Sequence, residues 1–100
     1  MRTSTRKPTH PGEILQELYL KPLGLGIGDF SAGIGISRKT VSGIVNGHRR
    51  VTPEMALRVS LALPITTADM WLNLQNAYDL YMVRSRMTDL AVRSLLPATI

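Results

Sequence analysis

The chain of 100 residues contains no cysteine. No disulfide can staple it, nothing in it points to an oxidising compartment, and packing alone must hold the fold. It has no uninterrupted apolar run of about 18 residues, the length a membrane span requires. The basic start, Met1 to Lys7, leads into His10-Pro11-Gly12 and not into an apolar stretch. No secretory signal is therefore expected, and the cytoplasm is the expected location. Strict apolar and polar alternation between turn residues is missing, which argues against strands. The two histidines, His10 and His48, are not at metal-ligand spacing and have no cysteine to help them, so no metal is expected. The Asp and Glu residues, seven in all, form no pairing of nucleophile and base that a sequence can display. The chain is not expected to be an enzyme, and no catalytic residue or cofactor is assigned.

One further absence is local. Between Asp29 and Glu54 there is no acidic residue, yet Arg38, Lys39, Arg49 and Arg50 fall inside that window. The whole chain carries a formal charge of +5, which suggests an anionic partner, and the excess is concentrated as a phosphate-facing surface requires. A solvated polar face with an incidental charge cluster is the plain alternative. Hydrophobic residues at 44% of the chain supply one modest core, and the length suits one domain.

Helical punctuation divides the rest. Residues 1–9 are polar, basic and aperiodic and read as a flexible arm. His10 as N-cap, Pro11 at the first helical position and Glu13 at the positive dipole end open a helix over 11–20, with Ile14, Leu15, Leu18 and Tyr19 as its apolar stripe and Pro22 and Gly24 as its stop. A glycine-rich stretch follows. It lacks a GK[ST] ending and a preceding strand, so a phosphate loop is set aside, and Phe30, Ser31 and Ile34 mark a short helix over 28–34. Ser37 caps a third helix, 38–46, whose inward stripe is Val41, Ile44 and Val45 and whose terminator is Gly47. Thr52-Pro53-Glu54 opens a fourth, with Ala56, Val59 and Leu63 inward, stopped at Pro64. Thr66 or Thr67 caps a fifth that runs to about Arg86. The tail, 88–100, is mildly apolar and forms either a short sixth helix or a frayed end. The expectation is an all-α domain over 10–87 between the arm and the tail.

Helices two and three have the spacing of a helix-turn-helix. Ser31 is small where the second helix must approach the third, and Gly35 occupies a turn position that favours a left-handed backbone. Phe30, Ile34, Ile36, Val41 and Ile44 lock the pair. The outward face of the third helix carries Ser37, Arg38, Lys39, Ser42, Gly43 and Asn46. A helix entering the major groove by its N-terminal end presents Arg38, Lys39 and Ser42 to base edges, and Arg38 suits bidentate contact with guanine. Ser37 and Thr40, beside the helix N-terminus, suit phosphate, and Arg49 and Arg50 are placed to hold the DNA backbone.

Several blocks then coincide: His10-Pro-Gly-Glu-Ile-Leu15, Ile36-Ser-Arg-Lys-Thr-Val41, Asn46-Gly47, Arg50-Val-Thr-Pro-Glu-Met-Ala-Leu-Arg58 and Met70-Trp-Leu-Asn-Leu-Gln-Asn-Ala-Tyr-Asp-Leu80. In this order they resemble the HigA family, antitoxins of the phage-repressor-like helix-turn-helix class. The resemblance implies a five-helix, lambda-repressor-like domain that dimerises through its C-terminal part and binds an operator in its own promoter. It further implies a HigB-type toxin as partner, a small ribosome-dependent mRNA-cleaving nuclease that this chain would silence. By position, it lays DNA contacts on Ser37, Arg38, Lys39, Thr40, Ser42 and Gly43. The chain departs from the family in having Ser31 for the usual Ala, and Pro64 with an extra residue where the fourth helix ends.

Trp71, Leu74, Tyr78 and Tyr81 form one stripe of the fifth helix, read as core. Leu72, Leu80 and Val83 form a second stripe, read as a homodimer interface. A stand-alone regulator without a toxin, and an interaction module whose helix-turn-helix is vestigial, are the competing readings.

Overall fold

The computed structural model describes residues 6–97; the first five residues of the expected arm and the last three of the tail lie outside them. Five helices are present among the described residues. The first, α1, begins as α-helix over Pro11–Ile14, widens to a π-helix over Leu15–Leu20 and closes with an α turn over Lys21–Leu23. Then come α2 (Ile27–Ile34), α3 (Arg38–Val45), α4 (Pro53–Ala62) and α5 (Ala68–Arg86). No described helix is long and apolar enough to cross a membrane.

Local chemistry sets most of the ends. Ser37, Thr52 and Thr67 each accept a hydrogen bond from the backbone N–H three residues on, at Thr40, Met55 and Met70, satisfying donors that the first turn leaves unpaired. Gly47 ends α3 with a left-handed backbone (φ 77°). Its N–H donates to the Ile44 carbonyl, and that of His48 to the Gly43 carbonyl, the double bond of a Schellman turn. Gly35 takes φ 73° between α2 and α3, the turn position read from the sequence. Ser31 is buried, and its hydroxyl donates to the Gly28 carbonyl at 2.9 Å, so serine replaces alanine there without leaving a polar group unpaired.

The structure corrects the first helix in two ways. It ends at Leu23 and not near residue 20, because the wider π turn relieves the press of the Pro22 ring on the carbonyl four residues back. It also changes which leucine is buried. Leu18 is 63% exposed, whereas Leu20 is wholly buried. One residue is added to the turn after Leu15, and the inward leucine is the fifth residue on, Leu20, and not the third, Leu18. The described part of the tail, to residue 97, contains no helix. Leu90, Val92, Leu95 and Leu96 are all exposed there, and without a surface to cover, an isolated segment this short does not recover the cost of helix nucleation.

The core gathers Leu15 and Leu20 of α1, Phe30 and Ile34 of α2, Val41 and Ile44 of α3, Val51, Met55, Ala56 and Val59 around α4, Leu63, and Trp71 of α5. The indole N–H of Trp71 donates to the Thr66 hydroxyl at 3.0 Å, and Tyr19 meets the Trp71 ring edge-on at 5.7 Å between centroids. Burying so large a side chain is favourable only with its N–H satisfied, as here. α1 crosses α3 very closely: a Cβ on Gly12 would stand 1.7 Å from the Ile44 carbonyl oxygen. Arg58 of α4 donates to the Ile34 carbonyl at 2.8 Å, which satisfies a C-terminal acceptor of α2 and ties α4 to the helix-turn-helix. These contacts seat α3 against α1 and α2 while leaving its outer face open.

Candidate nucleic-acid interface

The outer face begins at the N-terminus of α3. Ser37, Arg38 and Lys39 are exposed, Thr40, Ser42 and Gly43 are half-buried, and Asn46, Arg49 and Arg50 are exposed. Val41 and Ile44, on the opposite side of the same helix, are buried. The helix therefore presents its polar side as a unit, with both cations at its leading end. Arg38, Lys39 and Arg49 form no ion pair among the described residues, whose three salt bridges are Lys21–Glu17, Arg50–Asp79 and Arg58–Glu54. Charges left unpaired beside helix N–H groups are positioned for phosphate and base edges.

The nine residues read from the sequence come to one side of the molecule, but not in one role. Ser37 is held as the helix cap, its Oγ accepting from Thr40 N–H at 3.2 Å and donating to Thr40 Oγ1 at 3.0 Å. The Arg38 guanidinium lies over Gly28 of α2, its Cζ 3.5 Å from where a Cβ would be. Asn46 turns its amide back onto the Ser42 carbonyl and hydroxyl, at 2.9 and 3.2 Å. Gly43 serves as a seat: a Cβ there would meet Arg49 Cδ at 2.8 Å, so the Arg49 stem lies across the end of α3. Arg50 departs furthest from the expectation. It is bound to Asp79 of α5, which makes it a fixed cation shared with a carboxylate and not a free phosphate clamp.

That last pair belongs to a brace that the sequence reading missed. Gln75 of α5 is 1% exposed. Its Oε1 accepts from Val51 N–H at 2.7 Å, and its Nε2 donates to Asp79 at 2.9 Å. Burial tends to raise the Asp79 pKa, but hydrogen bonds from Arg50 and Gln75 and the Arg50 charge outweigh it, holding the carboxyl below its ordinary value. The segment from Gly47 to Thr52, which follows the polar face of α3, is thus anchored from behind by α5. The sequence signal was present, since Trp71, Gln75 and Asp79 recur at one face of a helix. Sequence alone does not say that a backbone N–H far away needs the glutamine. Of the second stripe on α5, Leu72 is half-buried against the core, while Leu80 and Val83 are 51% and 40% exposed.

A helix-turn-helix family model matches residues 16–70. The protein named "Uncharacterized HTH-type transcriptional regulator YbaQ" of Escherichia coli K12 is 45% identical over 87 residues, spanning 87% of this chain and 76% of that protein. Antitoxin HigA-1 of Vibrio cholerae is 36% identical over 86 residues, spanning 86% of this chain and 80% of that one. The solved structure of "antitoxin GraA in complex with its operator" aligns with a TM-score of 0.82 at 34% identity, covering 97% of this chain and 99% of that one. Fold and exposed face together define a helix-turn-helix protein of the DNA-binding class. Within that class, the chain belongs to the HigA family of antitoxins.

Proposed function

We propose that this chain is a cytoplasmic antitoxin that represses its own operon by binding an operator in its promoter and neutralises a HigB-type, mRNA-cleaving toxin. The observation that carries the DNA half is the unpaired cationic end of α3 standing proud of a fold that matches an operator-bound antitoxin over 97% of this chain. Arg38, Lys39 and Ser42 read base edges, with Arg38 the first choice for guanine. Ser37, Thr40 and Arg49 contact phosphate, Gly43 and Asn46 shape the approach, and Arg50 contributes a fixed charge. The arm 1–9 and the tail 88–100 flank the domain proper.

In this reading the chain acts as a homodimer. Leu57 and Leu61 of α4, Ile65 after it, and Leu80, Val83 and Met87 at the end of α5 are exposed apolar side chains that a second copy would cover. Two copies reading a palindrome need half-sites about 34–36 Å apart, or a multiple. Light scattering that returns one chain's mass at micromolar concentration contradicts the dimer.

The stand-alone regulator is the second reading, favoured by the higher identity to YbaQ, at 45%, than to HigA-1, at 36%. Co-expression with the adjacent reading frame separates the two. Rescue of growth and co-purification of a small basic nuclease support the antitoxin, and an adjacent product that is harmless and does not bind leaves the regulator.

A further inference from the structure

His10 joins two parts of the molecule with one ring. Its Nδ1 accepts from Gly12 N–H at 2.9 Å, capping α1 at the point where α1 crosses α3. The other side of the ring faces the Arg49 backbone, whose carbonyl favours the charged imidazole. With Nδ1 accepting, the proton of the neutral ring sits on Nε2, on the side towards Arg49. The ring also lies against Gly47, which ends α3, with His10 Cγ 3.9 Å from where a Cβ would be, and meets Tyr78 of α5 edge-on at 4.9 Å. It therefore touches the start of α1, the exit from α3 and the bracing helix.

We propose that neutral His10 is a positioning residue for operator binding, fastening the Gly47–Arg50 turn and its phosphate-facing Arg49 to the start of α1, so that acid weakens specific binding through this one ring. This rests on the DNA-binding reading of α3. The chemistry is set by geometry: a protonated imidazole carries an N–H on both nitrogens, and the Nδ1 proton would then face the Gly12 N–H donor across 2.9 Å. The Gly12 bond must break on protonation, which releases the start of α1 from the ring.

The charges around the ring are mixed. Lys7 of the N-terminal segment lies over the Tyr78 ring, 5.4 Å from its centroid. Glu13 on α1 and Asp79 on α5 favour the charged imidazole, Asp79 itself being engaged by Arg50, while His48, Arg49 and Arg50 are its neighbours on the turn. Burial prevails over the two carboxylates and the Arg49 backbone, and lowers the His10 pKa below its ordinary 6.5. A histidine lowered by folding favours the native arrangement fully above 6.5, and that contribution falls away as pH drops through the folded value. Ordinary phosphate electrostatics has the opposite sign, because added positive charge on an exposed surface tightens DNA binding. The two effects are separable for that reason.

The test is the affinity of the full chain for its own upstream duplex between pH 8 and about pH 5.5, across the ordinary histidine range, for the natural protein, His10→Asn and His48→Asn. Asparagine is a strong N-cap that does not titrate. The natural protein and His48→Asn are expected to lose roughly fivefold in affinity at the acid end relative to His10→Asn, the equivalent of one lost cap. Indistinguishable pH profiles for the natural protein and His10→Asn would overturn the proposal. Should the natural protein fail to bind at pH 8, the DNA reading fails independently. Amide NMR of the natural protein then tests the ring alone: Gly12 and Arg50 N–H signals must move together with the His10 midpoint, and independence of the two signals from it refutes the link. The same spectra serve if His10→Asn folds poorly.

Discussion

Gly12→Ala is the substitution whose consequence follows most directly from the structure. The added Cβ would lie 1.7 Å from the Ile44 carbonyl oxygen, 2.5 Å from its carbonyl carbon and 3.0 Å from Val45 Cα. All three are main-chain atoms of α3, so no side chain can rotate away. The first distance is half of the 3.4 Å at which ordinary contact begins, and relief requires α1 and α3 to part. They cannot part freely, since Leu15 and Leu20 on one side and Val41 and Ile44 on the other belong to the same core. Overpacking of a well-packed interior costs about 1–3 kcal/mol and sometimes more, and a clash with backbone belongs at the upper end. Alanine returns at most about 1 kcal/mol of helix propensity. The net loss is about 2 kcal/mol or more, a large share of the roughly 5–15 kcal/mol that holds a domain of this size. At about 4–8 °C per kcal/mol, thermal unfolding followed by circular dichroism should show a midpoint about 10–15 °C lower. Operator affinity should fall with it, since the contact lies on the helix proposed to read the DNA. A midpoint within about 2 °C of the natural protein, less than the shift of a single kcal/mol, would refute the close crossing.

Other outcomes follow from the same physics. Gly33 is inside α2 with nothing within 4 Å of its Cβ position, so Gly33→Ala should stabilise by up to about 1 kcal/mol, read as a raised unfolding midpoint in urea. Gln75→Leu strands the buried Val51 N–H and removes a donor from Asp79; denaturant titration should show a loss of about 1–3 kcal/mol. The Asp79 carboxyl is held below its ordinary 3.8, so its contribution is complete above that value and is lost as pH falls through the folded value. The stability advantage of the natural protein over Asp79→Asn, read by denaturant titration, should therefore shrink as pH falls through that value, and an advantage independent of pH would refute the pairing. Its Arg50 partner is about half exposed, and Arg50→Ala should cost less than about 1 kcal/mol.

What was legible in the sequence was local. Ser37, Thr52 and Thr67 bond to backbone three residues away, and Gly35 and Gly47 supply left-handed turns where the chain reverses; each acts within one turn of its own position. The polar face of α3 was legible for the same reason, because helical spacing alone separates Val41 and Ile44 from Arg38, Lys39 and Ser42. The π turn was not, since leucine stands at both 18 and 20 and only packing decides which is buried. Nor were the long-range partnerships. Gln75 and Val51, Arg50 and Asp79, His10 and Arg49, and Gly12 and Ile44 meet only after the helices dock. Arg50 shows the consequence: as sequence it was another cation beside Arg49, and as structure it is tied to the brace behind the reading face.

The central claim is that the leading end of α3 reads base edges. It is tested by fluorescence anisotropy of the upstream duplex and a scrambled duplex, across a salt series, with the natural chain, Arg38→Ala and Arg49→Ala. Arg38→Ala should lose about 1–3 kcal/mol on the upstream duplex and little on the scrambled one, while Arg49→Ala should weaken both alike and reduce the salt slope by about 1. Equal binding of both duplexes by the natural chain, or an Arg38→Ala protein that still prefers the upstream duplex as strongly, would contradict it.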